Sequence, residues 1–434
     1  EAEDRIDHLA KNLNFKDLFN LVRAIFPLFC CIVCLIFLIR YRLYKNQKKF
    51  LNILLVIQII QIFSTFLSTN TIMSEYEGII DHIGRYNWLI SSIATIFIFM
   101  IASKLKDFDL RILFYVSIFF LISMVFWFST KNILDFYFLN IKTSIYNMNV
   151  LRDSAFFLNH QMPRVTGLSR SIVIIYIFIF ILSQNSLSKF KSYLYILLSI
   201  LGALIFIYQS KYALGCYIIM NIIFFFNFTN KKKIAKIIIS LFMIQSFLFL
   251  AFSNSRVVLD IYKKKIPVSK SQSIIIDNQS EKFKHFRSLD TVNNEGIFLA
   301  EHIIMSGRVE LWNKAIDFIK ARPFLGYGSM SDRNVINRER VEKNYLLNPV
   351  SNAFLYSILS GGIFCLILFL IFWWNIRNYI FSVLNLKKIL DDYQKIGIII
   401  ITLIGLRCII ENSIMIFGID YILILNSLYL SQEK

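Results

Sequence analysis

The chain has 434 residues, of which 56% are hydrophobic and 17% charged, and its formal net charge is +19. A soluble domain carries about 25% charged residues, so this composition excludes an ordinary soluble globule. The positive charge lies in short clusters beside apolar runs and not in an aromatic-interleaved basic patch. This excludes nucleic acid as a partner and points to membrane lipid.

Apolar runs recur at 18–39, 50–68, 86–102, 110–128, 166–183, 192–208, 212–228, 234–252, 351–374, 396–410 and 414–430. Most are near the ~20 residues needed to cross a bilayer core. They are continuously apolar, whereas a membrane β-barrel strand alternates. The expected fold is all-α: a polytopic transmembrane helical protein with eleven spans and one large extracytoplasmic loop. The start Glu1-Ala2-Glu3 suggests a processed or engineered terminus, so the full-length protein is expected to have eleven or twelve spans. Three parts follow: N-terminal transmembrane helices at 1–252, a large loop with an amphipathic helix at 253–350, and C-terminal transmembrane helices at 351–434.

Short connections set the orientation. Arg40, Arg42, Lys45, Lys48 and Lys49 make the first one basic, hence cytoplasmic. Alternation then predicts which later connections share that face. They carry Lys104, Lys106 and Arg111; Lys189 and Lys191; Lys231, Lys232, Lys233 and Lys236; and Arg377, Lys387, Lys388 and Lys395. Residues 69–85 hold Glu75, Glu77 and Asp81 against Arg85, as an outside loop should. The loops around 129–165 and 253–350 are therefore expected outside, as is the N-terminus.

In the long loop, Ile304, Val309, Trp312, Ile316 and Ile319 follow a helical period, which predicts an amphipathic helix from Glu301 to Arg322 that ends before Pro323. Gly326-Tyr327-Gly328 then turns the chain. All six cysteines lie in apolar runs, so no disulfide framework is expected. Cys31 and Cys34 form a CxxC without a second pair or nearby histidines, so no metal or redox role is expected of them.

Ionisable groups at membrane depth are costly and mark cavities or pathways. Arg164 precedes the fifth run: it either binds phosphate at the outer edge or snorkels to headgroups. Lys211 lies between two runs on the face the charge rule makes outer. Arg308, after Ser306 and Gly307, opens the amphipathic helix, where free backbone N–H groups and a guanidinium suit an anion. The alternative there is a solvated loop arginine. Trp312 is read as packing before stacking. Arg407 and Glu411, four residues apart, are expected on one helix face as a structural ion pair, with substrate binding as the alternative. Asp420 has no evident partner in the sequence. Positive groups thus gather at the outer face, which suits a pyrophosphate. This outer-face cluster contains no DxD, HExxH or close acidic pair to hold a divalent metal, and no cofactor is expected.

At these residues the chain resembles the O-antigen polymerase and ligase superfamily of bacterial membrane glycosyltransferases, from about Arg164 to Asn412. Arg164-Val165-Thr166-Gly167 is similar to the family's Arg-x-x-Gly. Ser210-Lys211-Tyr212-Ala213 is similar to its Ser-Arg-Gly/Ala, with lysine for arginine. Ser306-Gly307-Arg308, Trp312 and Pro323-Phe324-Leu325-Gly326-Tyr327-Gly328 are similar to the large-loop signature. Ser351-Asn352 through Gly362 is similar to the segment His-Asn-x-x-Leu … Gly, with Ser351 in place of the histidine.

The resemblance implies metal-independent glycosyl transfer at the periplasmic face of the bacterial inner membrane. Its partners would be undecaprenyl-pyrophosphate-linked glycan donor and acceptor, with a chain-length regulator protein. It implies Arg308, Lys211 and Arg164 as leaving-group cations, and Asn352, Ser351, Gly307 and Trp312 around the substrate. Glu301, His302 and Glu310 stand open as the base, with Glu411 and His160 as further candidates. Ser351 favours the polymerase branch over the ligase branch. The alternatives are a ligase moving the glycan to lipid A core or protein, a lipid-linked sugar flippase, and a structural partner with a dead site. The absence of an internal repeat and the long one-sided loop count against a flippase.

Overall fold

Long apolar runs leave a backbone one way to satisfy its polar groups in lipid, which is the helix. The computed structural model is accordingly helical. It describes residues 15–69 except 46, 79–138 except 106–108 and 110, 152–153, 161–162, 166–264 except 186–187, 209 and 228–230, 308–334, and 350–431 except 351, 390, 410 and 413. The helices are α1 (Phe15–Arg40), α2 (Lys49–Thr69), α3 (Ile79–Ala102), α4 (Arg111–Phe138), α5 (Thr166–Asn185), α6 (Ser188–Ile207) and α7 (Lys211–Asn227). They continue with α8 (Lys231–Lys264), α9 (Arg308–Ala321), α10 (Ser331–Asn334), α11 (Ala353–Ser382), α12 (Asp392–Cys408) and α13 (Ile419–Leu430). A single antiparallel pairing, Arg152–Asp153 with Gln161–Met162, is the one β element among the described residues.

Each of the eleven apolar runs overlaps a described helix. Six helices among the described residues are long and apolar enough to cross a membrane: Lys49–Ser68, Arg85–Ala102, Arg111–Lys131, Phe190–Ile207, Lys231–Ala251 and Ala353–Leu386. Ile25–Arg40, Leu168–Gln184, Tyr212–Asn227 and Ile419–Leu430 are shorter apolar helices. This is a multi-pass membrane protein. Several boundaries differ from expectation, two of them as follows. Helix α8 continues to Lys264, past the expected end of its apolar run at 252. The last helix begins at Ile419 and not at 414, with turns before it.

The chain divides into two compact units. One comprises Glu1–Phe114, Met305–Val383 and Gly397–Lys434. In it α3 packs on α1 and α2, α11 packs on α2, and α9 and α10 rest on α11. The other comprises Tyr115–Ile304 and Leu384–Ile396. There α5 and α8 both pack on α6, and α7 packs on α5 and α8. Its core stacks Phe180 on Phe224 with ring centroids 4.2 Å apart. Gln245 of α8 is fully buried there, accepting from Tyr217 Oη at 2.5 Å and donating to the Leu198 carbonyl at 3.2 Å. Burial without partners would cost the amide about 1–3 kcal/mol, so the pairing locks α6, α7 and α8 in one register. In both units, large side chains such as Phe26, Phe29, Phe119, Phe126 and Trp127 stay exposed, as lipid-facing residues do.

Candidate functional site

The loop signature and the start of α11 form one construction. Helix α9 ends at Ala321, two residues before Pro323, where a proline cannot continue it. Helix α11 carries a break at Gly362, whose φ of 68° and ψ of −168° are non-helical. In an unbroken helix the Ile363 amide would donate to the Leu359 carbonyl. Here Ile363 N donates instead to the Pro323 carbonyl at 2.8 Å. The freed carbonyls of Leu359 and Ser360 accept from the amides of Tyr327 at 2.7 Å and Gly328 at 2.9 Å. The signature turn therefore replaces the missing helical bonds. Broken helices persist in membranes only where such substitutes exist. The approach is close: a Cβ on Gly362 would lie 1.9 Å from the Phe324 carbonyl oxygen.

A guanidinium clamps the other side of the turn. Arg85 of α3 is 1% exposed, with Nη2 donating to the Tyr327 carbonyl at 2.7 Å and Nε to the Ser329 carbonyl at 2.8 Å. Ser329 N donates to Thr65 Oγ1 at 2.9 Å, and Met330 N donates to Tyr356 Oη at 2.7 Å. A Cβ on Gly328, whose φ is 85°, would meet the Thr65 Cα at 2.4 Å and the Arg85 guanidinium at 2.8 Å. Burial pushes the Tyr327 phenol above its ordinary pKa, while Arg322 pulls it down. The hydroxyl stays protonated and donates to the Phe318 carbonyl at 3.1 Å, tying the turn to α9.

A second relay holds the entrance to α11. Buried Asp332 accepts through Oδ2 from Val350 N and from Asn412 Nδ2, both at 3.1 Å. Asn412 Oδ1 accepts from Asn352 N at 2.9 Å. Asn352 is the N-cap of α11: its Oδ1 accepts from the amides of Phe354 and Leu355, each at 3.0 Å, and its Nδ2 donates to the Ile409 carbonyl at 2.8 Å. Trp312 Nε1 donates to the Val350 carbonyl at 2.8 Å, and its ring packs with Leu311, Ala315, Tyr327 and Leu359.

The remaining sequence candidates fall as follows. Arg308 is the first residue of α9, and Lys211 opens α7 in the other unit. Arg164, Glu301, His302, Gly307, Ser351 and His160 lie outside the described residues. The expected Arg407–Glu411 pair is corrected: α12 ends at Cys408, so Glu411 is not on its face. Arg407 Nη1 instead meets Asp420 Oδ1 of α13 at 2.5 Å, which supplies the partner the sequence did not show for Asp420.

Arg85, Asp332 and Asn412 are the residues that sequence reasoning missed. An arginine at the head of an apolar run and an aspartate just past the signature were the available signals. The arrangement fixes the backbone of the signature turn and with it the position of α9.

A family model described as O-antigen ligase matches residues 154–370, half of the chain, and the chain belongs to this family. The family comprises glycosyltransferase-like membrane enzymes of O-antigen biosynthesis, polymerases and ligases alike, with lipid-linked glycans as substrates. The match takes in Lys211, Arg308, the signature turn, Asn352 and Gly362, and leaves Arg85, Arg407 and Asn412 outside. No curated protein and no solved structure matches the chain.

Proposed function

We propose that the protein is an O-antigen polymerase. It joins undecaprenyl-pyrophosphate-linked repeat units at the periplasmic face of the inner membrane and releases undecaprenyl pyrophosphate. In this reading it has eleven spans, or twelve in the full-length protein. The polar segment between α8 and α11 is its extracytoplasmic loop, and a chain-length regulator is its partner. The acceptor hydroxyl oxygen attacks the anomeric carbon of the donor glycan. A glycosidic bond forms, the carbon–oxygen bond to pyrophosphate breaks, and the hydroxyl proton passes to a base.

Negative charge grows on the departing pyrophosphate, and fixed cations can stabilise it without a metal. Arg308 is the first choice for that role, with Lys211 and Arg164 as further cations; Lys211 keeps the charge but lacks a bidentate fork. The base is sought among Glu301, His302 and Glu310. The observation that carries the polymerase reading is Ser351: the family's histidine is absent directly before the capping Asn352. The capping bonds of Asn352 make it a positioning residue at the head of α11.

Complementation of cells lacking this protein tests the reading. Wild type is expected to restore long polymer ladders, and Arg308→Ala at matched membrane abundance to leave single capped repeats. Normal ladders from Arg308→Ala would remove Arg308 from the site. Deficient cells that still polymerise but fail to attach chains to lipid A core would replace polymerase with ligase.

A further inference from the structure

The unit that contains α5 to α8 has a cavity of about 600 Å³ lined by Lys191, Tyr195, Lys232, Lys233, Lys236 and Ile237. Four of the six lining residues are lysines and none is acidic. The helical repeat produces this convergence. Lys191 and Tyr195 lie four apart on α6, Lys232 and Lys236 four apart on α8, and Lys233 and Ile237 likewise.

Two features favour an anion at this place. Like charges at i and i+4 repel, and α8 begins at Lys231, so its lysines sit at the end of a helix that favours anions. Lysines that merely set topology need not line one groove, as these four side chains do. The walls also fit a lipid. Tyr195 and Ile237 supply apolar surface beside the charges, and Phe190, Tyr193 and Ile196 next to them on α6 are exposed for acyl chains. Basic pockets between transmembrane helices at the cytoplasmic side are a known setting for anionic headgroups.

We propose that this cavity binds the phosphate of an anionic phospholipid headgroup, on the membrane face that the charge rule makes cytoplasmic. The site is separate from the proposed transfer site and does not depend on the polymerase reading. Lys191 also donates to the Gln184 carbonyl at 3.3 Å, so it joins the cavity to the end of α5.

The test is native mass spectrometry of the full chain purified in detergent and supplied with phosphatidylglycerol or phosphatidylcholine. Lys232→Gln/Lys236→Gln is compared with Lys48→Gln/Lys49→Gln, an equal loss of charge at exposed positions outside the cavity. Wild type is expected to retain phosphatidylglycerol over phosphatidylcholine. The cavity variant should lose that retention by roughly tenfold or more, and the control variant should keep it. Equal retention by wild type and the cavity variant overturns the site, as does equal loss in both variants, which would indicate general charge attraction. Displacement of the lipid by millimolar inorganic phosphate would overturn the lipid as occupant in favour of a soluble phosphate. Thermal unfolding of each variant checks that Lys232→Gln/Lys236→Gln is folded. If it is not, Lys232→Arg/Lys236→Arg, which retains the charge, must hold phosphatidylglycerol or the site is rejected.

Discussion

Arg85 and Tyr327 are 242 positions apart in sequence, yet the guanidinium of one donates to the main-chain carbonyl of the other at 2.7 Å. A second bond from the same side chain reaches the Ser329 carbonyl at 2.8 Å. Arg85→Ala leaves these carbonyls without a charged donor in a buried place, at a cost of about 2–5 kcal/mol. Arg85→Lys should recover only part, because an ammonium has no planar fork. Thermal unfolding in detergent reads the loss directly. An Arg85→Ala protein that melts at the wild-type temperature would mean that the turn holds its shape unaided.

Gly362→Ala should be among the most damaging single substitutions in the chain. Its φ of 68° disfavours any side chain, and the added methyl would sit 1.9 Å from the Phe324 carbonyl oxygen. Gly215→Ala is the matched control: nothing lies within 4 Å of its Cβ position, and it sits inside α7. It should be neutral or stabilising by up to about 1 kcal/mol. Fluorescence-detected size exclusion after heating separates the two. Equal behaviour would refute the close packing of the turn on the break.

Asn352 distinguishes positioning from chemistry. Asn352→Ala removes the α11 cap and the bond to Ile409, costing about 1–2 kcal/mol. Asn352→Asp keeps the capping oxygen, loses the donor to Ile409 and adds a negative charge that a helix N-terminus favours. Polymer output measured per folded molecule should therefore survive in Asn352→Asp. If Asn352→Asp abolished ladders at an unchanged melting temperature, the amide would have to touch substrate.

The pair Arg407–Asp420 carries a double-mutant prediction. The Asp420 side chain is 5% exposed, so removing Arg407 alone strands a buried charge and should cost about 3–5 kcal/mol. The double substitution Arg407→Leu/Asp420→Leu should recover most of that loss, since apolar replacements of a buried pair are often tolerated. Additive losses in a thermal-unfolding cycle would show that the two residues act separately.

Hydropathy marked the helices because each must satisfy its backbone internally and present apolar side chains to lipid. The same rule could not show which glycine interrupts a helix: Gly361 and Gly362 are adjacent, and only contact with Phe324 and Pro323 distinguishes the second. Arg85 looked like an outer-loop charge, because its partners are more than two hundred residues away and no periodicity links them. Arg407 was assigned to Glu411 by counting four along a helix that ends one residue after Arg407. The cap at Asn352 was legible, since an asparagine before an apolar run is a standard helix start.

The break in α11 also bears on how the protein is made. Gly362 lies nine residues after Ala353, so a lone α11 entering the bilayer would carry unbonded main-chain groups into hydrocarbon. The turn that completes those bonds precedes α11 in the chain and emerges from the ribosome first. Insertion of this helix is thereby coupled to the arrival of a segment already synthesised, and a truncation that removed the turn would impair biogenesis before it touched catalysis.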